Sequence, residues 1–248
     1  MPKVLLITGA SRGIGAATAR LAAARGFAVA VNYRLREADA ESVVAEIQAS
    51  GGVAQAFRAD VAIEAEVEVL FASVDQALGP LTGLVNNAGV VETQTRVESM
   101  RVERLERVFA VNVIGPFLCA REAVRRMSTR RGGSGGAIVN VSSAAARTGS
   151  PREYVDYAAS KAALDTFTLG LAREVADEGI RVNAVRPGMT YTEIHADGGE
   201  PGRVDRLKGM IPMRRGAQPE EIAQAIVWLL SDEASYTTGA LVDVTGGL

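Results

Sequence analysis

The stretch Thr8-Gly9-Ala10-Ser11-Arg12-Gly13-Ile14-Gly15 follows an apolar run at residues 4–7 and precedes a segment with Ala and Leu at helical spacing. It therefore predicts the turn between a first strand and a first helix. Glycines permit a tight turn there and let backbone N–H groups approach a pyrophosphate at the helix N-terminus. The glycine spacing alone is weak evidence in a chain with 26 glycines, and a plain turn is the alternative. The position after the first strand is what predicts a nucleotide site.

Short apolar segments alternate along the whole chain with longer segments of helical period, which is typical of βα units around a parallel sheet. We expect strands near residues 3–8, 28–33, 53–59, 81–86, 136–142, 180–186 and 240–244. We expect helices near residues 13–26, 36–50, 63–78, 100–130, 154–178 and 219–231. No repeat or linker divides the sequence, so a single α/β domain over 1–248 is expected. Residues 189–212 have weak periodicity and predict a substrate flap.

The overall composition excludes several classes of function. The formal net charge of the 248 residues is −2 and the arginines are scattered, which disfavours nucleic acid and anionic membranes as partners. One Cys and one His cannot build a Cys/His metal site, and a lone Cys cannot form an intrachain disulfide. No apolar stretch approaches the ~20 residues of a membrane span, and the N-terminus does not resemble a secretory leader. A cytoplasmic protein without a metal is expected.

The end of the second predicted strand indicates which ribose the nucleotide site recognises. NAD sites usually place an Asp or Glu there to bind the 2′-hydroxyl, but the chain has Asn32-Tyr33-Arg34. Ser11, Arg12 and Arg34 could instead surround a 2′-phosphate, because the arginine fork suits phosphate. We therefore expect NADP, with NAD less favoured. The alternative is that both arginines are merely solvated.

Tyr157 and Lys161 are four residues apart, which places a phenol and an ammonium on one face of a helix. A nearby cation lowers the pKa of a phenol, so Tyr157 could act as a general acid/base. Only three lysines occur in the chain, which makes a chance pair improbable, although a surface pair is the alternative. Tyr154 lacks such a partner, since Ala158 lies four residues on. Ser142 and Ser143 end a predicted buried strand, where a hydroxyl can donate to a substrate carbonyl.

Together these motifs resemble the short-chain dehydrogenase/reductase family over essentially the whole chain, and in particular its bacterial members described as glucose-dehydrogenase-like oxidoreductases. The resemblance implies a doubly wound Rossmann domain with a seven-stranded parallel sheet in the order 3-2-1-4-5-6-7. It implies Asn112, Ser143, Tyr157 and Lys161 as catalytic residues, with the choice between Ser142 and Ser143 open. The implied cofactor-binding residues are Gly9, Ser11, Arg12, Gly13, Ile14, Gly15, Asn32, Arg34, Asp60, Val61, Asn87, Ala88, Gly89, Tyr157, Lys161, Pro187, Gly188, Thr190 and Thr192.

The expected activity is hydride transfer between NADP(H) and a small carbonyl or alcohol substrate. Alternatives within this chemistry are a glucose-type sugar dehydrogenase and a 3-oxoacyl-carrier-protein reductase. A nucleotide sensor without chemistry is a rival of another class, but a sensor does not need a proton donor. The chain differs from the family pattern at residues 147–153, which make the separation between Ser143 and Tyr157 about one residue longer than the family resemblance implies. This difference suggests that the segment forms a pocket wall particular to this protein.

Two further expectations concern the long helix near 100–130. Apolar residues on several faces of this helix and of the helix near 154–178 predict a homotetramer, or at least a dimer. Within the helix near 100–130, Pro116 has no N–H to donate to the carbonyl of Asn112, which predicts a kink in this helix and a carbonyl without a helical partner. That carbonyl could hold a water that is bonded to Lys161. His195, inside the flap, is expected at the surface or at the rim of the pocket.

Overall fold

The computed structural model describes residues 3–248 and has one sheet of seven parallel strands. The strands are β1 (Val4–Ile7), β2 (Ala28–Tyr33), β3 (Val53–Arg58), β4 (Leu81–Asn86), β5 (Gly136–Val141), β6 (Ile180–Pro187) and β7 (Leu241–Val244). They lie in the order β3-β2-β1-β4-β5-β6-β7, which confirms the predicted topology. The predicted strand bounds differ from these by at most two residues.

Residues 3–248 contain ten α-helices between the strands. They are α1 (Gly13–Ala24), α2 (Glu37–Ala49), α3 (Glu64–Leu78), α4 (Val102–Phe109), α5 (Gly115–Met127), α6 (Ala145–Thr148), α7 (Val155–Glu174), α8 (Ile194–Asp197), α9 (Arg203–Leu207) and α10 (Pro219–Leu230). No helix in this part of the chain is long and apolar enough to cross a membrane. Because right-handed crossovers run in opposite directions on the two sides of β1, helices cover both faces of the sheet.

Alternate residues of the strands serve two separate cores. Leu5 and Ile7 of β1 pack on one face with Ile226 of α10, in the layer that also contains α1 and α2. Val4 and Leu6 of the same strand pack on the other face with α3, α5 and α7. All four β1 residues are buried, which explains why the strand is an uninterrupted apolar run rather than an alternating one.

The predicted helix near 100–130 is not one continuous α-helix, because its middle is not α-helical. A π-helical turn, Ala110–Ile114, separates α4 from α5, and the N–H of Gly115 donates to the carbonyl of Ala110, five residues back. Pro116 then lies in the first turn of α5, where a missing N–H costs little. The break in α-helical structure was expected at the proline, but it begins before it.

The sheet order reverses between β1 and β4, because the chain builds β2 and β3 on one side of β1 and the later strands on the other. In open α/β sheets, ligands bind at such a switch point, outside the carboxyl ends of the strands. The glycine-rich turn follows β1, Asn87 follows β4, and Ser143 follows β5, so the topology brings all three to this edge.

Candidate active site

A cavity of about 810 Å³ opens along the carboxyl ends of the strands. Every site residue predicted from the sequence lines it except Gly15 and Asn112. Those two are buried against residues that do line it, since Gly15 approaches Asn87 and Asn112 bonds to Val90. The nucleotide motif and the Tyr157–Lys161 pair therefore share one cavity.

The glycine-rich turn is shaped by close backbone contacts with the end of β4. Gly9 has a φ of 61°, and a Cβ atom there would lie 2.9 Å from the Cα of Ala88. The side-chain amide of Asn87 donates to the carbonyls of Thr8 and Gly9, both at 2.9 Å. The close approach of Ala88 explains why position 9 is a glycine. The two hydrogen bonds from Asn87 hold the turn in this conformation without a ligand.

The N-terminus of α1 can receive an anion. The helix begins at Gly13, and the preceding Arg12 makes no side-chain cap to the first turn. The first N–H groups of a helix have no intrahelical partners and carry the positive end of its dipole. A dinucleotide pyrophosphate fits this helix end, because Ser11, Arg12 and Gly13 line the cavity where the helix begins.

Asn32 supports the turn from β2. Its Oδ1 accepts from the N–H of Gly9 at 3.2 Å, and its Nδ2 donates to the carbonyls of Phe57 and Ala59 at 3.2 and 3.1 Å. The side chain is buried, so an amide with both donor and acceptor suits this position.

Two arginines of the predicted 2′-phosphate site have carboxylate partners. Arg34 lies 3.2 Å from Asp60, and Arg12 forms an ion pair with Asp197 of α8. Both pairs are partly exposed to solvent. Exposed ion pairs are weak, so these guanidinium groups can be redirected to a phosphate at little cost.

The helix α7 carries the predicted Tyr–Lys pair. Tyr157 is close enough to Ser143 for that side chain to lower its pKa, and the Nζ atom of Lys161 lies 5.7 Å from the centre of the tyrosine ring. Nζ donates to the carbonyl of Val141 at 2.8 Å. Ser142 is buried and its hydroxyl donates to the carbonyl of Lys161 at 3.2 Å. Ser143, rather than Ser142, faces the phenol.

The electrostatics differ from the expectation that Lys161 lowers the pKa of Tyr157. Burial raises the pKa of Tyr157, and the Ser143 side chain only partly opposes this. Burial also lowers the pKa of Lys161 to about 8, against the stabilising charge of Asp165. The reason is geometric, because the ammonium bonds to Val141 and not to the phenol.

The π-helical turn directs Asn112 into the site. Its Oδ1 accepts from the N–H of Val90 at 2.8 Å, while its Nδ2 donates to the carbonyl of Val90 and to the hydroxyl of Ser160. Asn112 thereby links the segment after β4 to α7, on the helix that carries Tyr157 and Lys161. The side chain is fully buried and acts through these neighbours.

The segment 189–212 forms one wall of the cavity and contains α8 and α9. Arg203 is buried, forms ion pairs with Glu153 and Glu200, and lies 4.8 Å above the ring of Tyr154. The hydroxyl of Tyr154 donates to the carbonyl of Gly198 at 3.3 Å. Tyr154, set aside in the sequence, thus anchors this wall beside Tyr157.

Several cavity residues were not predicted from the sequence. Arg203 is one, and no pattern distinguishes a buried arginine from the other 23 arginines of the chain. Arg147 is another, and it pairs with Asp243 at 2.6 Å. The atypical segment 147–153 was the only available indication, and the cavity wall does include Arg147, Thr148 and Ser150.

A glycine-rich βα turn and a Tyr–Lys helix that open on one cavity define a Rossmann-type oxidoreductase. The model of the family described as Enoyl-(Acyl carrier protein) reductase matches residues 9–248. The uncharacterized oxidoreductase YgfF of Escherichia coli (strain K12) is 59% identical over 244 residues, covering 98% of this chain and 99% of that protein. The 3-oxoacyl-[acyl-carrier-protein] reductase FabG of Staphylococcus aureus (strain N315) is 38% identical, covering 100% and 98%.

Solved structures agree. A short-chain dehydrogenase/reductase mutant of Serratia marcescens superposes with a TM-score of 0.90 at 37% identity, covering 99% of this chain and 97% of that one. A dehydrogenase/reductase of Sinorhizobium meliloti 1021 gives 0.91 at 36% identity, covering 99% and 94%. The chain belongs to the short-chain dehydrogenase/reductase family, as the sequence motifs predicted.

Proposed function

We propose that this oxidoreductase transfers a hydride reversibly between NADP(H) and a small carbonyl or alcohol substrate. The observation that carries the proposal is that Tyr157 and Ser143 line the same cavity as the glycine-rich turn. A nucleotide sensor would need the turn but not this pair. When bound, the nicotinamide cofactor supplies or accepts the hydride.

Each residue has a defined task in the direction of reduction. Tyr157 donates a proton to the carbonyl oxygen as charge develops on it, and Ser143 donates a hydrogen bond to the same oxygen. The pKa of Tyr157 is raised by burial, so the phenol holds its proton at neutral pH until the substrate oxygen accepts it. Lys161, close to the ring, is suited to stabilise the phenolate afterwards and to bond the ribose.

Asn112 is proposed to position a water molecule beside Lys161. We infer that its backbone carbonyl holds a water that is bonded to Lys161, which would carry a proton from solvent toward Tyr157. The π-helical turn supports this, because a turn with one extra residue leaves a carbonyl without its usual partner. The side-chain bonds of Asn112 to Val90 and Ser160 hold the turn in place.

The preference for NADP rests on charge. No carboxylate follows β2 at the place where NAD sites use one, and Arg12 and Arg34 both line the cavity. The neighbouring Asp60 and Asp197 hold these arginines near the cofactor cradle. The two alternative substrate classes are a glucose-type sugar and a 3-oxoacyl carrier protein, and the Staphylococcus aureus relative bears the name of the second activity.

The active form is proposed to be a homotetramer, or at least a dimer. Five large apolar side chains on α4, on α5 or between these helices are exposed in the single chain, namely Val102, Leu105, Phe109, Ile114 and Phe117. Phe117 stacks on Phe167 of α7, with ring centres 3.8 Å apart, so the two helices form one continuous apolar surface. Val108 does not belong to this surface, because it is fully buried in the monomer. A monomeric mass by light scattering at micromolar concentration would exclude the assembly.

The segment 189–212 is proposed to be a substrate flap that becomes more rigid when ligands bind. Its ion pairs with Glu153 and its contact with Tyr154 give it a defined resting position. Hydrogen exchange of the segment should slow when NADP and a substrate analogue are added. Equal exchange rates with and without ligands would refute the flap.

The proposed activity is tested with Tyr157→Phe, which removes the proton donor and keeps the ring. A panel of ketones, sugars and polyols is assayed in both directions with both cofactors. We expect kcat to fall by about 10²–10⁴-fold while NADPH still binds, because only acid/base catalysis is lost. Tyr154→Phe is the matched control, since its hydroxyl bonds only to Gly198 in the cavity wall. The proton-donor role is wrong if Tyr157→Phe retains more than a few per cent of kcat.

A further inference from the structure

The chain has a single histidine, His195, which lines the cavity. The ring atom Nε2 lies 3.1 Å from the backbone carbonyl oxygen of Thr190. A carbonyl oxygen can only accept, so Nε2 must carry the hydrogen. The bond therefore determines the tautomer of a neutral ring, with the hydrogen on Nε2 and a lone pair on Nδ1.

The partner carbonyl lies at the start of the segment 189–212, where backbone hydrogen bonds join this segment to Ala217. Thr190 is buried and forms a parallel bridge with Ala217. Ala217 donates to the carbonyl of Met189 at 2.9 Å and accepts from the N–H of Tyr191 at 3.0 Å. His195 is thus oriented by backbone hydrogen bonds on both sides of Thr190, and not by a mobile side chain.

The surroundings of the ring favour its neutral form. Burial lowers the pKa of His195, and the positive charge of Arg203 acts in the same direction. The Thr190 carbonyl and Glu200 oppose them without reversing the direction. Because a solvated histidine already has a pKa near 6.5, the ring is mostly neutral at pH 7.

The Nδ1 atom is left as an acceptor without a donor. Within residues 3–248 the only hydrogen bond of the His195 side chain is the one to Thr190. The only fully buried polar side-chain atoms without a hydrogen-bond partner in residues 3–248 are Oδ1 of Asn86 and Oδ1 of Asp165. Nδ1 of His195 is therefore accessible to a ligand or to solvent. The cavity that His195 lines is the one that holds Tyr157 and Ser143.

We propose that Nδ1 of His195 accepts a hydrogen bond from a hydroxyl of the substrate other than the reacting group, and so selects hydroxyketones and diols over simple ketones and alcohols. This rests on the proposed function, since it assigns a second contact to the same substrate. A carboxylate or a second carbonyl at this place would bring its lone pairs against that of Nδ1. The recognition is therefore specific for a donor.

Paired substrates that differ by one hydroxyl test the selection. Acetophenone and 2-hydroxyacetophenone are reduced with NADPH by the wild-type enzyme, by His195→Phe and by His195→Asn. One neutral hydrogen bond corresponds to about five-fold in kcat/KM in favour of the hydroxyketone, in addition to the difference in intrinsic reactivity of the two ketones, which is the same for all three proteins. Phe removes the acceptor and should lower the ratio by about this factor, while the amide oxygen of Asn can replace Nδ1 and should keep most of it. The same ratio in all three proteins would overturn the proposal.

The ring itself can be observed without turnover. Because His195 is the only histidine, a ¹⁵N-histidine-labelled protein gives one pair of ring nitrogen resonances. We expect Nε2 protonated and Nδ1 unprotonated at pH 7, and a shift of the Nδ1 resonance when 2-hydroxyacetophenone joins the NADP complex. Protonation of Nδ1, or an Nδ1 shift caused by NADP alone with none from the hydroxyketone, would overturn the inference. Absence of turnover with every ketone and alcohol would instead refute the proposed function, which this measurement does not need.

Discussion

Gly15→Ala should damage the cofactor site severely although it adds one methyl group. A Cβ atom at this position would lie 2.5 Å from Nδ2 of Asn87, 2.6 Å from the carbonyl oxygen of Gly9 and 2.9 Å from the Cα of Ala10. Two of these three atoms are backbone atoms, so the turn itself has to move. The shift would also break the two 2.9 Å bonds that Asn87 donates to Thr8 and Gly9.

The size of the effect follows from these contacts. Overpacking costs about 1–3 kcal/mol, and each lost hydrogen bond adds about 1 kcal/mol, which together give about 3–5 kcal/mol. For a chain of this length the melting temperature should fall on the order of 10 °C. NADPH binding should weaken by about 30-fold or more, which corresponds to about 2 kcal/mol of the same strain.

The assays are urea or thermal unfolding and a direct titration with NADPH. Gly202→Ala is the matched control, because nothing lies within 4 Å of its added Cβ and its φ of −86° suits alanine. That variant should change stability by no more than about 0.5 kcal/mol. If Gly15→Ala unfolds and binds NADPH like Gly202→Ala, the close packing of the turn is not what the distances indicate.

Three further outcomes are expected. Arg34→Ala should lower the ratio of kcat/KM for NADP over NAD by about ten-fold, as expected for the loss of a charged phosphate contact, and an unchanged ratio would argue against Arg34 as a phosphate ligand. Cys119 is fully buried and burial raises the pKa of its thiol to about 12, so it should react with Ellman's reagent only after unfolding, and fast labelling of the native protein would contradict that burial. Arg206 and Arg203 lower the pKa of Glu200 to about 2, so its ion pairs stabilise the segment 189–212 above the ordinary carboxyl pKa of 4.5 and are lost as the pH falls toward 2. Hydrogen exchange in residues 194–207, corrected for the intrinsic rate, should therefore speed up over that pH range in the wild type but not in Glu200→Gln, and parallel curves for the two proteins would refute the role of Glu200.

Much of this molecule could be predicted because its local patterns and its tertiary structure agree. The run at Val4–Ile7 is apolar on both faces since both cores use it, and that is visible in the sequence. The sheet order came from the family resemblance and is confirmed. The cavity then follows, because it lies where the strands end.

The failures concern properties that depend on distant residues. The pKa of Tyr157 was expected to be lowered by Lys161, but burial by the rest of the fold raises it. Arg12 pairs with Asp197, 185 residues later in the chain, and no local spacing predicts such a contact. The π-helical turn was expected only as a kink at Pro116, because the pattern does not reveal an inserted residue.

That inserted residue makes the α4–α5 region sensitive to length. An α-helix advances about 100° per residue, so removing one residue from Ala110–Ile114 would restore a regular helix only by rotating one half against the other. Either Asn112 would lose its hydrogen bonds with Val90, or the side chain of Cys119 would rotate away from the core. Homologous proteins can therefore differ in the side chains of Ala110–Ile114. A one-residue deletion, in contrast, would displace either the residues at the cavity or the residues of the core that support them.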